Sequence, residues 1–96
     1  MGQDAEIVRA HVVISGRVQG VSFRYATLQA AQRHRVHGWV RNRADGRVEA
    51  TFEGTRADVD SMIAWCKTGP PAAIVDGVEF EWQTVSERFS GFNIRF

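Results

Sequence analysis

The Asp45-Gly46 pair near the middle of the chain constrains the fold more than any other feature, because it lies between two strand-like runs, residues 37–43 and 47–53. Asp-Gly readily adopts the left-handed backbone of a tight hairpin turn, so the two runs are predicted to pair antiparallel. In the second run Val48, Ala50 and Phe52 alternate with Arg47, Glu49, Thr51 and Glu53, giving one apolar and one polar face. An isolated hairpin is marginal in water, so the apolar face needs a cover. Each flank provides a helical stripe for that purpose. Upstream, Phe23, Ala26, Thr27, Ala30, Ala31 and His34 recur at helical spacing behind Ser22 as N-cap, and the helix is expected to end near Val36. Downstream, Thr55 to Asp58 approach a capping box, and Gly69-Pro70-Pro71 stops a helix whose Val59, Met62, Ile63 and Cys66 fall at i, i+3, i+4, i+7.

Further strands flank these helices. Residues 7–14 set Val8, Ala10, Val12 and Ile14 against Arg9, His11 and Val13. Residues 78–84 set Val78, Phe80, Trp82 and Thr84 against Glu79, Glu81 and Gln83, and a short run ends the chain through Phe92, Ile94 and Phe96. The expected fold is therefore α+β, a ferredoxin-like βαββαβ sandwich with two helices on one face of an antiparallel sheet and a short extra C-terminal strand. The last strand is expected beside the strand of residues 37–43, bringing the terminal carboxylate near Arg24.

Ninety-six residues suffice for one core, so a single domain over residues 7–96 is expected, with residues 1–6 a disordered tail. The single Cys66 excludes an internal disulfide and suits a reducing compartment. No apolar run approaches a membrane span and the N-terminus carries no targeting pattern, so a cytoplasmic, monomeric protein with no membrane partner is expected. The net charge of +1 hides an asymmetry. Residues 1–48 carry eight Arg against Asp4, Glu6 and Asp45, whereas residues 49–96 carry twice as many acidic as basic side chains. An anionic partner would be drawn to the first half.

The stretch Ser15-Gly16-Arg17-Val18-Gln19-Gly20-Val21-Ser22-Phe23 leads from a strand into a helix, an arrangement that gathers free backbone N–H groups at the positive end of the helix dipole. Its glycines serve either as turn residues or as points of close backbone approach to an anion such as phosphate. Arg24 weighs toward the anion, since a cation in the first helical turn opposes the dipole at a cost of about 0.3–1 kcal/mol. Asn42, at the end of a strand where Asn is depleted, either initiates the turn or offers its amide to a ligand. The chain lacks the GxxxxGK[ST] nucleotide loop, and His11, His34 and His37 form no metal-binding spacing, so no metal or cofactor is expected. Cys66 reads as a buried apolar residue, and Trp39, Trp65 and Trp82 as core or groove residues, with Trp39 a candidate pocket wall beside Asn42.

Two segments resemble the signatures of the acylphosphatases: residues 14–24, Ile-Ser-Gly-Arg-Val-Gln-Gly-Val-Ser-Phe-Arg, and residues 38–48, Gly-Trp-Val-Arg-Asn-Arg-Ala-Asp-Gly-Arg-Val, completed by Gly54. Gly69-Pro70-Pro71-Ala72 and Phe92-Asn93-Ile94-Arg95-Phe96 are also similar to the family. Ser22 departs from the pattern, since many members carry Gly there. The resemblance implies hydrolysis of the carboxyl-phosphate anhydride of a small-molecule acyl phosphate, without metal or cofactor. It also implies that Arg24 and the amides of residues 15–23 bind the phosphoryl group, in competition with inorganic phosphate or sulfate, and that Asn42 orients the attacking water. Two other readings remain: a non-catalytic or accessory domain of the same type, and an RNA-recognition module of the same element order. The second is disfavoured because residues 47–53 contain a single aromatic, Phe52.

Overall fold

The structure, a computed structural model, describes residues 6–96, so the expected tail lies outside it except for Glu6. Strand β1 (Ile7–Arg17) lies between two antiparallel partners, β3 (Val48–Thr55) and β4 (Ile74–Gln83). β3 pairs in turn with β2 (His37–Asn42) across the Asp-Gly turn, placing Asn42 opposite Val48. The short β5 (Phe92–Arg95) lies against β2 but runs parallel to it, so the sheet is mixed, in the order β4-β1-β3-β2-β5. The sequence reading placed β5 beside β2 and left its direction open. The long excursion after β4 brings the chain back to enter β5 in the same sense as β2, which alternation along one strand cannot reveal.

Both helices, α1 (Phe23–Arg33) and α2 (Arg56–Cys66), cover the same face, α1 over β2 and β5, α2 over β1 and β3. Ala10, Val12, Ile14, Val40, Val48, Ala50 and Phe52 from the sheet are buried against Ala30 and Ala31 of α1 and Val59, Met62 and Cys66 of α2. The alternation of β1 and β3 thus maps onto the core as expected. Thr55 caps α2, its hydroxyl accepting from the Asp58 N–H at 3.2 Å. Ser22 does occupy the N-cap position of α1, but its side chain makes no capping bond. At the other end α1 stops at Arg33, short of Val36. Arg35 takes a left-handed φ of 58°, and the Val36 and Arg35 N–H groups bond back to the Ala31 and Gln32 carbonyls, closing the end in a Schellman motif.

β1 runs three residues further than expected and β4 begins four residues earlier. Ser15, Gly16 and Arg17 pair with Gly77, Val75 and Ile74, across a register shift between Ser15 and Gly16. At Gly16, φ is 125° and an added Cβ would stand 2.2 Å from the Ile74 carbonyl oxygen, so glycine is required here by the approach of two strands. On β4, Phe80 and Trp82 remain 46% and 39% exposed despite their regular alternation. β4 is an edge strand that α2 meets only at its margin, and the two rings pack on each other at 5.8 Å, with the guanidinium of Arg56, the first residue of α2, 4.2 Å above Trp82.

Candidate active site

Five residues remain between the end of β1 and α1. Gly20 and Ser22 both take left-handed backbone, φ 76° and 63°, on either side of Val21. Gly20 has open space around it, so its backbone freedom serves the turn itself. For Ser22 the same conformation costs about 1 kcal/mol, which explains why glycine suits this position. The first helical bond of α1 runs from Ala26 N–H to the Ser22 carbonyl at 3.0 Å. Ahead of it, the N–H groups of residues 18–25 have no main-chain acceptor among the described residues. Successive free donors at a helix start form a concave, positively polarised surface.

An open cleft of about 400 Å³ lies over this surface, bordered by Gly20, Ser22, Arg24, Asn42, Tyr25 and Phe96. Arg24 reaches it from the first turn of α1. No acidic residue shares that turn, and Arg24 has no carboxylate partner among the described residues. Instead its guanidinium carbon stands 4.8 Å from the centre of the Phe96 ring. The expected partnership with the terminal carboxylate is therefore replaced by one with the aromatic face. Asn42 enters from β2: it shares the parity of buried Val40, so it points to the helix side of the sheet and toward the cleft. The adjacent turn is held by other groups, the Arg43 N–H on the Arg47 carbonyl at 2.8 Å and the Arg47 N–H on the Asp45 carboxylate at 3.1 Å. The Asn42 side chain is not what closes the hairpin.

The structure divides the stretch from Ser15 to Phe23 differently from the sequence reading. Gly20, Ser22, Phe23 and Arg24 border the cleft with Val18, whose side chain is buried. Val21 packs partly against the core. Ser15, Gly16 and Arg17 belong to the β1–β4 pairing and not to the free-donor surface. Gln19 has a role no local pattern suggested: its side-chain amide donates to the Arg43 carbonyl at 2.8 Å and the Arg47 carbonyl at 3.0 Å. That bracket ties the loop carrying the free donors to the hairpin carrying Asn42. Trp39 faces the opposite side of the sheet, where the Arg95 guanidinium lies 4.4 Å from its ring, so it does not wall the cleft.

Over these residues the acylphosphatase family profile matches residues 10–94. The chain belongs to the acylphosphatase family. An acylphosphatase of Anaeromyxobacter dehalogenans (strain 2CP-C) is 54% identical over 92 residues, covering 96% of this chain and 99% of that protein. The crystal structure of acylphosphatase from Bacillus subtilis superposes with a TM-score of 0.89 at 34% identity, covering 93% of this chain and 99% of that one. The structure of an acylphosphatase from Coxiella burnetii gives 0.87 at 37% identity, covering 93% of each.

In this acylphosphatase fold no histidine or cysteine among the described residues borders the cleft. His11 bonds through Nε2 to Glu49, His37 Nδ1 accepts from the Gly91 N–H at 2.9 Å, and His34 is the C-cap of α1. Burial pushes the Cys66 thiol up to about 12, so it is not a nucleophile at neutral pH. Among the described residues no group of three or more His, Cys, Asp or Glu is arranged to hold a metal ion, and no helix is long and apolar enough to cross a membrane. The open sheet face presents Arg9, His11, Glu49, Thr51 and Glu53 on its central strands, and Phe52 turns into the core. An RNA-binding sheet of this order needs aromatic side chains at those open positions.

Proposed function

We propose that the protein hydrolyses acyl phosphates, with the phosphoryl group held by the free N–H groups of residues 18–25 and by Arg24, and the water aligned by Asn42. The observation that carries this reading is the convergence of unpaired backbone donors, one guanidinium and one amide on a single cleft. Water attacks phosphorus as the bond from phosphorus to the acyl oxygen breaks, giving a carboxylate and inorganic phosphate. The carboxylate leaves readily and the transition state is loose, so positioning and charge stabilisation suffice. The guanidinium fork matches two phosphoryl oxygens, and the preorganised N–H groups hold the third and stabilise the charge spread over all three in the transition state. Among the described residues no side-chain carboxylate or imidazole borders the cleft, which favours transfer of the water's proton to a phosphoryl oxygen of the substrate itself.

The reading includes turnover without metal, inhibition by phosphate or sulfate at the cleft, and action as a monomer in the cytoplasm. The test is hydrolysis of benzoyl phosphate in EDTA by wild-type, Arg24→Ala and Arg24→Lys proteins. Wild-type activity should survive chelation. Arg24→Ala should raise KM and lower kcat together, and Lys should restore little because the two-pronged donor is lost. Activity that vanished in EDTA and returned with magnesium, or an Arg24→Ala protein of normal turnover, would reject the reading.

A further inference from the structure

Phe23 belongs to the cleft and to the core at once. It is the first residue of α1, between the loop of free donors and Arg24, and it borders the cleft, yet it is only 2% exposed. Its ring meets the Trp65 ring, in the last turn of α2, edge to face with centroids 5.5 Å apart. Gly69, just beyond α2, also lies against it: φ is 67°, and an added Cβ would stand 2.5 Å from Phe23 Cε2 and 3.3 Å from Cδ2 and Cζ. Carbon atoms rest about 3.5–4.0 Å apart, so the ring fills the space that a side chain at 69 would need. The turn is pinned against it by the Gly69 N–H on the Trp65 carbonyl at 2.9 Å and the Ala73 N–H on the Pro70 carbonyl at 3.0 Å. On the other helix the buried Thr27 hydroxyl donates to the Phe23 carbonyl at 2.7 Å, so Phe23 cannot shift without the first turn of α1. Resting on the phosphoryl assignment above, we propose that Trp65 and Gly69 are positioning residues, clamping the Phe23 ring and so fixing the N–H groups and Arg24 where the phosphoryl group needs them.

Neither residue borders the cleft, so both act on it through Phe23. A methyl group at 69 must displace the ring by about 1 Å, and a close-packed interior passes that shift to the backbone carrying the donors. Asn42 is carried by β2, outside this contact. Phosphate affinity is therefore the property the clamp controls.

The test is a double-mutant cycle on Gly69→Ala, Phe23→Leu and the pair, with benzoyl phosphate as substrate and inorganic phosphate as competitor. KM and the phosphate Ki do not depend on the fraction folded, so a purely structural role would lower the melting midpoint and leave both unmoved. Gly69→Ala should raise Ki about tenfold, the scale of one charge-assisted hydrogen bond. In the Phe23→Leu background, which lacks the Cε and Cζ atoms in the way, the same methyl should raise it by less than about threefold, although its backbone strain is the same. A wild-type Ki in Gly69→Ala, or an equal rise in both backgrounds, would overturn the clamp. Trp65→Leu loosens the ring without straining the backbone and replaces Gly69→Ala should that protein fail to fold; its Ki should rise about threefold, and an unmoved Ki would overturn the clamp as well. A wild type that neither hydrolyses benzoyl phosphate nor binds phosphate would remove the phosphoryl assignment and this inference with it, whereas an active wild type with unmoved Ki in the variants would remove this inference alone.

Discussion

Asn42 and Gln19 look alike as amides in loop-adjacent positions, yet the structure separates their work. Asn42 presents its amide to the cleft while Asp45 and Arg43 hold the turn. Asn42→Ala should therefore lower kcat by about 10²-fold, the scale of removing one preorganised hydrogen-bonding group, with the denaturation midpoint nearly unmoved. A destabilised hairpin with normal turnover in the folded fraction would return Asn42 to a turn-forming role. Gln19 spends both its donors on hairpin carbonyls, so in the proposed mechanism its part is to hold the loop at its distance from Asn42. Gln19→Leu should cost about 1 kcal/mol of stability, since both carbonyls keep main-chain partners, and lower kcat by tenfold or more through misplacement. Urea titration beside steady-state kinetics on one preparation separates the two effects, and a stability loss with unchanged kcat would limit Gln19 to a structural bracket. Asn42 stood out in the sequence because Asn is out of place in a strand, though that position alone left turn formation and ligand contact both open. Gln19 did not, because its partners lie 24 and 28 residues away.

The strand-to-helix connection shows what periodicity can and cannot say about an element. Alternation identified β1 and β3 and their buried faces correctly, because both are central strands covered by helices. The same alternation on β4 implied a core position for Phe80 and Trp82, but β4 is an edge strand that α2 covers only at its margin, which left both partly exposed. Boundaries failed for a related reason: Ser15 to Arg17 look like loop until β4 starts pairing with them at Ile74. Of the two glycines read as anion-loop residues, Gly16 thus belongs to the sheet. Gly16→Ala should destabilise the protein by about 2 kcal/mol or more, through positive φ and the clash with the Ile74 carbonyl, while the folded fraction keeps its kcat. A thermal melt and an activity assay on the folded fraction check this; unaltered stability with lost phosphate inhibition would place Gly16 back at the anion.

Across the sheet as a whole, the segment that brings β5 to β2 is anchored by one buried carboxylate. Glu53, 1% exposed on the open side of β3, accepts from Arg9 at 2.6 Å, from Arg88 at 3.1 Å and from the Phe89 N–H at 2.9 Å. Burial alone would raise its carboxyl, but these bonds outweigh it and hold Glu53 below the usual range; His11 and Arg41 do the same for Glu49. A carboxylate depressed by folding stabilises the native state above its unfolded value of about 4.3 and loses that contribution as pH falls through the lower, folded value. The urea midpoint should accordingly drop as pH falls below about 4.5, and Glu53→Gln should cost about 3 kcal/mol at pH 7 while flattening that drop. An unchanged slope in Glu53→Gln would show that other groups carry the acid sensitivity. Element order, the hairpin, both helices and the two candidate side chains Arg24 and Asn42 were written in local pattern, because turn chemistry, helical spacing and strand alternation act over a few residues. The parallel direction of β5, the Gln19 bracket, the pairing of Ser15 to Arg17 and the Glu53 anchor were not, because each depends on groups brought together from distant parts of the chain, whose contacts exist only once the sheet has closed around them.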